Sequence, residues 1–76
     1  MESSGEATRR ELAAIIKESR QRGYQKIELD ARLALAKIEL NAGQAAEGRA
    51  HLEAVEKDAR AKGYKLIAGK AALARG

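Results

Sequence analysis

ARLALAKIELNAGQAAEGRAHLEAV, from Ala31 to Val55, is the stretch that decides the fold. Its apolar residues recur at helical spacing up to Asn41, break at Ala42-Gly43, and resume with a new phase from Ala45. A glycine between two such patterns marks the turn of a helical hairpin, because glycine alone enters the left-handed backbone region freely. The first half carries two apolar stripes. Ile27, Ala31, Ala34 and Ile38 form one, and Leu29, Leu33, Ala36 and Leu40 form the other. At 100° per residue the stripes lie roughly 160° apart. A helix apolar on two opposite sides is packed from both sides, so this helix is expected in the middle of the fold.

Working outward, the same punctuation recurs. Gly23 and Gly63 each follow a basic last turn and each precede a tyrosine, Tyr24 and Tyr64. The expected helices are 6–22, 25–41, 44–62 and 65–74, after a disordered segment 1–5. Ser3 and Glu6 have the spacing of a capping box. In the first helix, Leu12, Ile15, Ile16 and Ser19 share a face. In the third, Ala45, Gly48, Leu52, Val55 and Ala59 do, the small residues allowing close approach to the second. Pairs at i,i+4 are expected at Glu18–Arg22, Glu53–Lys57, Glu56–Arg60 and Asp58–Lys62. Gly69 weakens the last helix by about 1 kcal/mol relative to Ala.

Displaced by forty residues, the chain overlays itself. Leu12, Ile15 and Gly23-Tyr24 fall on Leu52, Val55 and Gly63-Tyr64, while Ile27, Ala31 and Leu33 fall on Ile67, Ala71 and Leu73. Self-similarity at such a period is the signature of stacked helical repeats. The stretch from Ala31 to Val55 also resembles a tetratricopeptide-type hairpin. The large-and-small pair of the first helix falls to Leu35 and Ala36, the turn to Gly43, and the small and large residues of the second helix to Gly48, Leu52 and Val55. The chain departs from the family pattern in three places. Glu39 stands where an aromatic is common, the period is forty rather than about 34, and no proline closes the repeat.

The resemblance implies an all-α, right-handed solenoid fragment of antiparallel helix hairpins. It further implies a non-enzymatic protein–protein interaction or assembly module within a larger bacterial signalling or regulatory protein. On this reading the first helix ends one repeat, the second and third form a whole one, and the fourth opens another. A stack cut in that way has uncapped apolar ends. The expected partner is therefore a protein, a peptide or a second copy, with an isologous homodimer as the default. Candidates for core or groove are Ile16, Tyr24, Leu29, Leu33, Leu40, Leu52 and Tyr64. The two tyrosines read first as contacts that cap the preceding helix and second as partner anchors.

Composition limits the alternatives. Seventy-six residues without Cys, Pro, Phe or Trp make one small domain with a light Ala/Leu/Ile core, no disulfide and no thiolate metal site. His51 has no second His or Cys beside it for a metal. Glu28 and Glu39 share a face, with Asp30 turned away, and no phosphate loop or nucleophile motif occurs. No cofactor or catalytic role is expected. The net charge of +4 is concentrated at the C-terminus, where Lys65, Lys70 and Arg75 have no acid among them. Arg9, Arg10, Lys17, Arg20, Arg22 and Lys26 read as a solvated face because Glu11 and Glu18 interleave with them. Binding of nucleic acid by a small basic helical protein is the second functional reading, and an engineered bundle the third. No apolar run spans a membrane, no signal peptide is evident, and the cytoplasm is the expected location.

Overall fold

A computed structural model describes residues 4–76, the side chains from Glu6 onward. It consists of four helices, α1 (Ser4–Arg22), α2 (Gln25–Asn41), α3 (Ala45–Ala61) and α4 (Lys65–Arg75), with no strand among the described residues. Ser4 and Gly5 lie within the bounds of α1. The expectation for residues 1–3, and with it the Ser3–Glu6 capping box, lies outside the described residues.

The helices end where glycine permits it. Gly23, Gly43 and Gly63, spaced twenty residues apart, have φ of 75°, 85° and 84°. A side chain with a β-carbon is strained there, whereas glycine is not. Each turn then closes in the same way. The amide N–H of Tyr24 donates to the carbonyl of Ser19 at 2.8 Å, that of Gln44 to Glu39 at 2.9 Å, and that of Tyr64 to Ala59 at 2.8 Å. At the first and third turns the glycine N–H also donates, to Arg20 at 3.3 Å and to Arg60 at 3.2 Å. This pair of bonds satisfies helix-end carbonyls that would otherwise lack partners.

The chain then folds back on itself step by step. Each helix packs on the next, and α2 and α4 also touch, so α2, α3 and α4 surround one core while α1 lies along α2 alone. That core contains Leu29 and Leu33 from α2, Leu52, Val55 and Ala59 from α3, and Ile67 and Ala71 from α4. Leu52, Val55 and Ala59 of α3 are fully buried, and α2, as expected of a middle helix, packs against all three others. The expected two-sided burial of α2 is unequal. The Leu29–Leu33–Ala36 stripe is closed, whereas in the opposite stripe Ala31 is buried and Ile27 is half exposed.

Close approach of α2 and α3 depends on Gly48. A β-carbon there would stand 3.0 Å from the Ala36 carbonyl oxygen, the Leu40 amide nitrogen and Leu40 Cγ. Two of those atoms belong to backbone, which cannot step aside without shifting the helix. Ala45, the other small residue of this face, is exposed. Gly69 of α4 is the converse case, with nothing within 4 Å of the position its β-carbon would take. Gly48→Ala should therefore destabilise the fold by about 1–2 kcal/mol, overpacking exceeding the gain in helix propensity. Gly69→Ala should stabilise it by up to about 1 kcal/mol. Urea denaturation of the two variants should give midpoints on opposite sides of the parent.

Candidate interaction surface

Apolar contact and charge both fasten the first helix to α2. Ser19 is the only described α1 residue classed as buried, and its hydroxyl turns back to the Ile15 and Ile16 carbonyls at 2.6 and 3.1 Å. Leu12 and Ile16 are half-buried and Ile15 is exposed. Arg20 reaches α2 instead, its Nε and Nη2 donating to Glu28 Oε2 at 3.1 and 3.0 Å. Arg32 Nη1 stands 3.7 Å from the same oxygen and donates to Asp58 Oδ2 of α3 at 2.8 Å. One chain of charges thus joins three helices. Arg9 adds a bond from Nη2 to Gln44 Oε1 at 3.0 Å.

The other buried carboxylates are engaged as well. Glu39 Oε1 lies 2.6 Å from His51 Nδ1. Glu56 Oε2 accepts from Arg60 Nη2 at 2.8 Å. Arg75 Nη2 stands 2.9 Å from Glu56 Oε1 but outside hydrogen-bond alignment, so that buried oxygen is held by charge alone. These partners matter because an unpaired buried carboxylate would carry a large desolvation cost. Among the described residues no group of three His, Asp or Glu side chains is placed to hold a metal ion.

The candidate residues divide into separate groups. Leu29, Leu33 and Leu52 are core, at 6% exposure or less, and Leu40 and Tyr64 pack on its edge. Ile16 lies half-buried at the α1 side, and Tyr24 is 51% exposed. The two tyrosines occupy equivalent turns yet differ, because Tyr64 packs against the core shared by α2, α3 and α4 while Tyr24 borders the groove between α1 and α2. Of the basic residues expected to be solvated, Arg9 and Arg20 are tied down between helices, and Arg22 pairs with Glu18 as its spacing predicts. Glu56–Arg60 forms as expected too, whereas Asp58 turns to Arg32.

Sequence reasoning did not single out the most exposed large apolar residues as candidates. Leu66 and Leu73 of α4 are each 83% exposed. They stand seven residues apart, hence within about 20° of each other on the helix. At the other end Ile15 and Ile27, with Tyr24, Glu18, Ser19 and Arg22, line a groove between α1 and α2. The signal was available in the forty-residue overlay, which pairs Ile15, Ile27 and Leu73 with core residues but does not say whether a neighbour covers them.

Comparisons with protein-family models, with curated proteins and with solved structures return no match.

Because α1 is joined through Glu28, Glu28→Gln should loosen that helix selectively. We expect the backbone resonances of α1 to broaden or shift toward random-coil values, while those of α3 keep their positions. Uniform change across all four helices would contradict this division.

Proposed function

We propose that this chain is a non-enzymatic protein–protein interaction or assembly module, built as a tetratricopeptide-like helical repeat. The observation that carries the reading is the exposure of Leu66 and Leu73 on one face of α4, two turns apart. Single exposed leucines are ordinary, but an apolar pair aligned on one helix face, beside a small core, is a docking feature. In the solenoid arrangement α2 and α3 form one whole repeat, α1 closes the repeat before it, and α4 opens the next. The forty-residue equivalence and the common turn geometry at Gly23 and Gly63 support that arrangement. A right-handed stack would present its end faces and inter-hairpin grooves to an amphipathic helix or peptide.

The nucleic-acid reading is weaker, because Arg9, Arg20 and Arg22 of the basic α1 are engaged by Gln44, Glu28 and Glu18. No helix of the described residues is long and apolar enough to cross a membrane. A cytoplasmic setting fits a scaffold of this kind.

Selection from a displayed peptide library against the chain tests the reading. Peptides with apolar residues at helical spacing should be enriched, and their binding should change little between low and moderate salt. Leu66→Asp/Leu73→Asp should abolish that binding while leaving helicity intact, since both side chains are outside the core. No enrichment, or binding only of nucleic acid with steep salt dependence, would contradict it.

A further inference from the structure

The two exposed ends are repeat equivalents of surfaces that meet inside the fold. Shifted by forty residues, the groove lined by Ile15, Glu18, Ser19, Arg22, Tyr24 and Ile27 becomes Val55, Asp58, Ala59, Lys62, Tyr64 and Ile67. Inside the fold that second set is filled by α2. Leu29 and Leu33 share the core with Val55, Ala59 and Ile67, and Arg32 pairs with Asp58. Exposure follows occupancy. Val55 and Ile67 are 0% and 4% exposed, whereas their counterparts Ile15 and Ile27 are 42% and 50% exposed.

The opposite end of the molecule carries a matching surface. The counterpart of α2 under the same shift is α4, and the counterpart of Leu33, which is 6% exposed, is Leu73, which is 83% exposed. Charge adds a smaller term. Lys65 and Lys70 of α4 have no acid on their own helix, while Arg75 is engaged by Glu56. Glu11 lies on the same side of α1 as Ile15, four residues away, and Glu18, which pairs with Arg22, lies three residues away.

We propose that copies of this chain associate head to tail, Leu73 of α4 in one copy entering the Ile15–Tyr24–Ile27 groove of the next as Leu33 enters the core beside Val55 and Ile67. This deepens the interaction-module reading and rests on it, naming a second copy as the partner. The contact is heterologous, so it does not close at a dimer but leaves a free face at each end of the growing assembly. An isologous dimer would instead pair like faces. The contact is weaker than its internal counterpart, because Gly69 stands where α2 has Leu29 and Ala72 where α2 has Arg32.

Sedimentation of the parent chain, of Ile15→Glu and of Leu73→Glu tests this, with circular dichroism confirming that each variant remains helical. The parent's weight-average mass should climb with concentration past twice the monomer's 8.2 kDa. Each variant alone should associate at least about tenfold more weakly, the loss expected when one apolar contact is replaced by a charge. Mixing the two variants should restore association but halt it at a dimer, because each carries the intact face that the other lacks. A parent that stays monomeric at millimolar concentration overturns the proposal, as does an Ile15→Glu variant that associates like the parent. If peptides selected on the chain still bind through Leu66 and Leu73 in either case, head-to-tail association fails and the interaction-module reading stands.

Discussion

The fold depends on a backbone constraint applied three times. At Gly23, Gly43 and Gly63 the chain takes a positive φ, and the amide after each glycine returns to a carbonyl five residues back. These bonds end each helix at a fixed point and direct the next one along it. Because the glycines are twenty residues apart, the helices between them have equal length and opposed direction. At the position just before each turn the environments correspond. Ser19, Glu39 and Ala59 each precede their glycine by four residues, and all three are buried although their side chains have little in common.

Upon that frame two kinds of force act in different places. Apolar burial dominates among α2, α3 and α4, where Leu29, Leu52 and Val55 are enclosed and Gly48 lets the backbones approach. Along α1 it is thinner, and ion pairs from Arg20 through Glu28 and Arg32 to Asp58 add to it. Exposed pairs contribute little, but Glu28 is largely withdrawn from water, and losing a partner of a buried charge costs more than the pair itself contributes. The domain is thus firmest around α3 and weakest at its first helix.

Much of this was legible in the sequence. Glycine after a periodic run located the turns, because no other residue supplies that backbone conformation cheaply. Periodicity placed Leu29, Leu33, Leu52 and Val55 on inward faces. The ion-pair chain was not legible. Asp58 has Lys62 at favourable helical spacing, yet it pairs with Arg32, and which cation wins depends on the rotation of α2 against α3, which no local spacing encodes. The exposed face was likewise hidden. Leu33 and Leu73 are the same letter in the same repeat position, and only the packing of the α3–α4 hairpin against Leu33 separates core from surface. Glu39, which departs from the tetratricopeptide pattern, is buried against His51, a pairing that depends on how α2 and α3 meet.

The claim on which the account rests is that left-handed backbone at the repeated turns sets the register of the helices. Gly43 is the most telling position, since it joins the two helices that carry most of the core and a β-carbon there would meet nothing within 4 Å. Chemical synthesis of the chain with L-Ala or D-Ala at position 43 isolates the backbone term from any contact. L-Ala should lower stability by about 1–2 kcal/mol, and D-Ala, which favours positive φ, should preserve or raise it. Equal loss with both enantiomers, or no loss with L-Ala, would contradict that claim.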